Sequence, residues 1–295
     1  MDTELLRAFI AVAESGGFSA AGKGLNRTQS AVSLQIKRLE ERVGEALFER
    51  TSRSVRLTEA GGTFLPYARR ILRLQEEAVG AVGEGAEASQ LRFGLSEEQA
   101  LAYLPEVLAG FTRAHPELHL EVICEMSPVL IRRLEEGELD LALAVRHRHT
   151  KTGEVVAREP LVWVAAEGFV PPVGAPLPMA VNPEGCTYRA QAFSALGRAG
   201  WDWRVVYTSQ SPTGINLAVQ AGLAVTVKTP RSVPEGCRIL DTRHGLPALP
   251  HVDIELHRAP GVLPAATDAF VDALMGSIAH TEGVETVTAP TAPAR

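Results

Sequence analysis

The feature that constrains this chain most is a change of pattern near residue 88. Ahead of it, apolar residues recur three and four apart, the helical period. Beyond it, short apolar runs alternate with helical stretches as far as residue 282, which predicts an α/β arrangement with parallel sheets. One core cannot easily serve 295 residues, so separate domains are expected. Residues 1–57 read as a compact helical unit with a small hairpin, 58–89 as one long helix, and 90–282 as the α/β part. The Thr-, Ala- and Pro-rich stretch 283–295 reads as a disordered tail.

Charge divides in the same way. The whole chain carries a formal −6, which taken alone disfavours a phosphate-rich partner. Residues 1–75, however, hold 12 Lys and Arg against 8 Asp and Glu, a net +4; the rest holds 17 against 27, a net −10. The first unit is therefore the candidate for nucleic acid, and the acidic remainder should stay off a DNA backbone. Cys124, Cys186 and Cys237 are too scattered for a disulfide framework or a zinc site and fit a reducing compartment. Met1 is followed at once by Asp2 and Glu4, with no basic and apolar leader, and no apolar run is long enough to span a bilayer. A cytoplasmic location without membrane attachment is expected.

Within the first unit, one short helix covers Leu5–Ala13 and stops at Ser15-Gly16-Gly17, and a second starts near Ser19. A third is predicted over Gln29–Val43, with Thr28 as N-cap and Gly44 as its stop. Val32, Ile36, Leu39 and Val43 fall on one narrow stripe that must face a core. The other side holds Ser30, Ser33, Leu34, Lys37, Arg38 and Glu41. Small polar side chains let a helix approach a major groove, Gln29 can pair with adenine, and Leu34 can touch a thymine methyl. Lys37 and Arg38 lie where phosphates would be met. An ordinary bundle helix has the same spacing. Residues 47–57 read as a hairpin with Arg50, Arg53 and Arg56 three apart, suited to a minor groove or to phosphates, or to a merely solvated turn. Along the long helix, Leu65, Ala68, Leu72 and Val79 repeat like a coiled-coil seam, favouring a dimerisation helix over a helix buried in one domain.

These residues resemble a family. Leu6-Arg7-Ala8-Phe9, then Val12-Ala13-Glu14-Ser15-Gly16-Gly17-Phe18-Ser19-Ala20-Ala21, then Thr28-Gln29-Ser30-Ala31-Val32-Ser33 match the winged helix-turn-helix of LysR-type transcriptional regulators. Leu47-Phe48-Glu49-Arg50 and Leu57-Thr58-Glu59-Ala60-Gly61 continue the match. The resemblance implies a recognition helix over Gln29–Arg42, a wing over Leu47–Leu57 and a linker helix that pairs protomers, with Thr28, Gln29, Ser30, Ser33, Leu34, Lys37, Arg38, Arg50 and Arg53 as DNA contacts. Leu34 departs from the polar or basic residue usual at its position. Gly22 and Gly24 replace good helix formers, which implies a frayed second helix.

The resemblance extends into the α/β part through Leu104-Pro105, His115-Pro116, Gly137-Glu138-Leu139-Asp140-Leu141-Ala142 and Ala221-Gly222-Leu223-Ala224-Val225. It implies a two-lobed, periplasmic-binding-protein-like effector domain: lobe I from 90–160 and 264–282, lobe II from 161–263. Three helix starts are notable by themselves. Ser96-Glu97-Glu98-Gln99 is a capping-box pattern, and Ser127-Pro128 and Ser211-Pro212 each place Ser before Pro. All three follow predicted strands, where ligands of open parallel sheets bind. Capping alone explains any one of them. Together with Ser209, Thr213 and a cationic Arg189, their convergence favours a small anionic effector. Cys124 reads as a strand core residue. No phosphate loop, nucleophile elbow or metal motif occurs, so no cofactor and no enzyme activity is expected.

The combined reading is a sequence-specific DNA-binding regulator acting on a partly dyad-symmetric promoter site, homodimeric or a dimer of dimers, and controlled by a small molecule between two lobes. The alternatives are a solute-binding protein with a helical extension, or an enzyme on that fold with Cys186 as nucleophile.

Overall fold

The computed structural model describes residues 2–50, 55–82, 89–116, 118–147, 153–260, 263–264, 266–281 and 285–286. The chain divides into two compact units: residues 1–89 with 135–138, and residues 90–134 with 139–295.

The first unit packs α1 (Thr3–Ser15), α2 (Phe18–Gly24), α3 (Gln29–Val43), the hairpin β1 (Phe48–Arg50) and β2 (Val55–Leu57), and α4 (Glu59–Val82). Thr28 caps α3 as expected, its Oγ1 accepting the amide of Ala31 at 3.2 Å. Gly44 ends α3 at φ +85°, a left-handed conformation that favours glycine. The second helix starts at Phe18 after an N-cap at Gly17, one residue before the expected start, and it is regular rather than frayed. Gly22 is required there: a Cβ would lie 2.8 Å from the carbonyl oxygen of Arg27, so its lack of a side chain lets the turn into α3 close. Phe9 of α1 joins the wing and α4, with ring centroids 5.3 Å from Phe48 and 5.4 Å from Phe64. Glu40 ties α3 to the hairpin by accepting the amide of Leu47 at 2.9 Å.

The second unit carries two lobes. Lobe I is a six-stranded sheet in the order β13-β6-β12-β5-β3-β4. Its members are β3 (Ser89–Leu95), β4 (Leu118–Cys124), β5 (Leu141–Val145), β6 (Glu154–Pro160), β12 (His251–Arg258) and β13 (Glu285–Thr286). The helices α5 (Glu97–Ala114), α6 (Ser127–Glu135) and α9 (Thr267–His280) accompany it. Lobe II pairs β8 (Leu177–Val181) with β9 (Trp203–Thr208), and β7 (Val162–Ala166) with β10 (Thr226–Lys228) and β11 (Cys237–Leu240). Its helices are α7 (Thr187–Arg198) and α8 (Pro212–Gln220).

Three expectations are corrected. The sheets are mixed: β3–β5 and β8–β9 are parallel, but β12 runs antiparallel to β5 and β6, and β7 antiparallel to β10 and β11. The antiparallel pairs arise where the chain crosses between lobes and returns. Lobe II ends near residue 250 rather than 263, because β12 completes the sheet of lobe I. The expected disordered tail contains β13, paired antiparallel with β6 through Glu285–Arg158 and Thr286–Ala157. Residues 282–284 and 287–295 lie outside the described residues. Among the described residues, no helix is long and apolar enough to cross a membrane.

Candidate functional sites: an exposed recognition helix and an inter-lobe cleft

The core of the first unit decides which face α3 presents. Val32, Ile36 and Leu39 are fully buried against α1 and α2 residues such as Leu6, Phe9 and Ala21. That anchoring turns Thr28, Gln29, Ser30, Leu34, Lys37 and Arg38 outward, all exposed, with Ser33 half-buried beside them. Leu34 is 50% exposed, a large apolar side chain held at a polar surface without a core to enter. Lys37 lies 3.9 Å from Glu41 one turn on, a solvated contact of small energetic weight. Arg50 ends β1, but its side chain, and the whole of Arg53, lie outside the described residues.

The expected dimerisation seam is corrected. Leu65 and Ala68 are buried, at 6% and 0% exposure, inside the core that also holds Phe9 and Leu39. Leu72 packs partly on the same core. Leu65 and Ala68 are therefore enclosed by the unit's own core, whereas Leu72 keeps part of its surface. The side chain of Val79 lies outside the described residues. Among the described residues, the exposed apolar side chains of α4 include Tyr67, Leu74 and Ala78, seven and four residues apart.

In the second unit, the strands β3, β4, β8 and β9 all end at one cavity of about 310 Å3, and the helix following each begins there. This is the strand-end crevice expected of such sheets. Ser96, Ser127 and Ser211 all line it. Ser96 forms the expected capping box: its Oγ accepts the amide of Gln99 at 3.2 Å, while its own amide donates to Gln99 Oε1 at 3.0 Å. Ser211 caps α8 through the amide of Gly214 at 3.5 Å. Ser127 is not a cap. It is the first residue of α6, and its Oγ accepts the amide of Val145 on β5 at 2.9 Å, which ties the helix start to the sheet.

The other predicted effector residues do not line the cavity. Ser209 Oγ accepts the amide of Ser211 at 3.1 Å and shapes the turn. Thr213 Oγ1 donates to Glu97 at 3.1 Å, a bond between lobe II and lobe I. Arg189 is turned away: it donates to the carbonyl of Asn182 at 3.1 Å and lies over the ring of Phe193. Among the described residues, the cationic partner expected for an anion is therefore missing from the lining, which includes Glu97, Glu98 and Glu125. Cys124 is exposed at the cavity rather than buried in the strand core. Its thiol is pushed up by burial first, then by Glu97 and Glu125. Burial likewise pushes up Cys186, so neither cysteine has the depressed pKa of a reactive nucleophile.

Two ion pairs, each with one buried member, join the lobes. Lys228 on β10, 2% exposed, is bonded to Glu98 of α5. Arg231 is bonded to Glu159 on β6, donates to the Tyr103 hydroxyl at 2.6 Å and lies over that ring at 4.5 Å. Burial, then the charge of Glu159, holds the Tyr103 hydroxyl far above its ordinary range, so it stays protonated and donates to Glu159. None of these clamp residues was picked out from the sequence, since the partners Lys228 and Glu98, and Arg231 and Glu159, lie 130 and 72 positions apart in the chain.

Comparison with known proteins agrees with this geometry. Residues 3–62 match the model for a bacterial regulatory helix-turn-helix protein of the lysR family, and residues 84–278 match the LysR substrate binding domain. The transcriptional regulator DgdR of Burkholderia cepacia is 36% identical over 278 residues, covering 93% of this chain and 95% of its own length. ArgP from Mycobacterium tuberculosis has a similar fold, with a TM-score of 0.69 at 21% identity over 94% of this chain and 97% of its own. So does full-length CbnR in complex with its target DNA, with a TM-score of 0.57 at 21% identity over 94% of this chain and 100% of its own.

Proposed function

The chain belongs to the LysR family of transcriptional regulators, and on that premise we propose how its two sites divide the work. The α3 helix enters a major groove with Gln29, Ser30, Ser33 and Leu34 toward base edges and Lys37 and Arg38 toward phosphates. The single observation that carries this is the exposed polar turn Thr28–Ser30 standing on a fully buried Val32–Ile36–Leu39 stripe. Arg50 and Arg53 are proposed as wing contacts on the strength of the matched motif.

Two copies pair along α4, using Tyr67, Leu74 and Ala78 in place of the residues already buried. Paired recognition helices favour a site with partial dyad symmetry, and two such pairs would form a dimer of dimers. A small molecule in the inter-lobe cavity biases the arrangement of the DNA-binding units, because only a ligand with different affinities for two arrangements can shift them. The compartment in which this operates is the cytoplasm, where DNA and reduced thiols coincide.

Footprinting on DNA upstream of the protein's own gene tests the reading. A protected site with partial dyad symmetry is expected, weakened by Leu74→Glu through loss of pairing. No protected sequence at any protein concentration would defeat it.

A further inference from the structure

We propose that Arg69 of α4 is a positioning residue for the control of DNA binding: it is the joint at which movement of α6 reaches the helices of the DNA-reading unit. This rests on the reading of the inter-lobe cavity as the effector site, because α6 begins there, with Ser127 and Pro128 in the lining. The helix has nine residues and ends at Glu135, about 13 Å from its start at 1.5 Å per residue. Residues 135–138 do not fold with the lobe that precedes and follows them in sequence. They belong to the first unit.

Their anchor is the guanidinium of Arg69, which is only 11% exposed. Its Nη1 donates to the carbonyl oxygen of Glu136 at 2.8 Å, and its Nη2 lies 3.0 Å from Oε1 of Glu138. The same Nη2 donates to Oε1 of Glu14, in the last turn of α1, at 3.0 Å. One planar fork thus bonds the segment after α6 and the helix α1 together, which a flexible ammonium with a single point of charge does less well. Gly137 supplies a second contact on the same face of α4, three residues from Arg69. Its φ is +71°, and a Cβ there would lie 3.2 Å from the carbonyl oxygen of Pro66 and 3.3 Å from its Cα, so the turn packs backbone against backbone. Just beyond, Asp140 fixes the chain to β3: its amide donates to the carbonyl of Arg92 and its Oδ2 accepts the Arg92 amide, both at 2.9 Å. A segment held at Arg69 and again at Asp140 has no slack in which a shift of α6 could be lost. α1 in turn shares one core with α3, through Leu6 and Phe9 against Val32 and Ile36. Close-packed helices move together rather than deform, so what displaces α1 carries the recognition helix with it.

Hydrogen exchange of the full-length protein tests the joint, read in two peptides, residues 9–16 at the end of α1 and residues 136–141. Glu138→Gln removes one partner of Arg69 and should speed exchange at the end of α1 about threefold, and Glu14→Gln should do the same at 136–141. Ser127→Ala, which frees the start of α6 from β5, should also be felt at the end of α1. In an Arg69→Met background all three distant effects should vanish, and in Arg69→Lys they should shrink. Thermal midpoints check that the variants are folded; if Arg69→Met is not, the Arg69→Lys background decides. Exchange altered only beside each substitution would overturn the joint, because an arginine that merely steadies its own helix gives that pattern. Distant effects that persist undiminished without Arg69 would overturn it too. No ligand is used, so a cavity that binds nothing would remove the effector reading and leave the joint to be judged by exchange alone.

Discussion

The start of α3 and the helix starts around the cavity use the same local chemistry to opposite ends. Thr28 caps α3 as Ser96 caps α5, each through a hydroxyl accepting an amide in the first turn. Along the exposed face that begins at Thr28 lie Gln29, Ser30 and, two turns on, Lys37 and Arg38, all exposed. Around Ser96 they are Glu97, Glu98 and Glu125, walled in by a second lobe. A helix start only offers N–H groups to something electron-rich. The surrounding charge and shape decide whether that is a polyanion lying across a surface or one end of a small molecule inside a cleft.

The comparison can be broken at its enclosed side first. Arg231→Ala should cost the effector domain about 3–5 kcal/mol in chemical denaturation, because it leaves the carboxylate of Glu159 buried and short of its main partner. An unchanged denaturation midpoint would show that the clamp does not hold the lobes. On the exposed side, Gln29→Ala should lose about 1–3 kcal/mol of discrimination at one base step while leaving thermal stability alone, as read by binding to a set of single-base site variants. A uniform loss over all variants would move Gln29 from base to backbone contact. Thr28→Ala should destabilise the first unit by about 1 kcal/mol, since an exposed cap is worth that much wherever it points. Lys37→Ala should lower the slope of log affinity against log salt by about one, the signature of a lost phosphate contact. The smallest effect concerns the thiols: raised by burial, Cys186 should alkylate at pH 7.5 more slowly than a free cysteine and speed up as pH climbs. Rapid labelling at neutral pH would reopen the enzyme reading.

The boundaries of α3 were legible because a Thr cap and a Gly stop bracket a clean apolar stripe. The seam on α4 was misread for an instructive reason. Periodicity says that Leu65, Ala68 and Leu72 share a stripe; it does not say whether the covering body is a second copy or the unit's own α1 and wing. β6, which runs Glu154–Pro160, escaped notice because Glu154, Arg158, Glu159 and Pro160 break its apolar pattern, although Val156 and Ala157 are buried. At the cavity, the serines were found through their cap motifs. The sign of the lining was not: which strand ends meet at the cavity is set by the fold rather than by neighbours in the chain, and Arg189 is held by its own turn, on the carbonyl of Asn182 and the ring of Phe193.

The passage between lobes carries one more implication. The chain leaves lobe I after Pro160 and returns to it at His251, and the two crossings lie side by side, with the amide of Leu161 donating to the carbonyl of Pro250 at 3.2 Å. Residues 161–250 are therefore a closed excursion whose ends nearly touch. A module of that form can be lifted from one host and seated in another through a single junction, since the entropy of bringing its ends together is already met by its own fold. Exchange of that segment between relatives would alter one wall of the cavity while leaving the DNA-reading unit and the sheet of lobe I as they were.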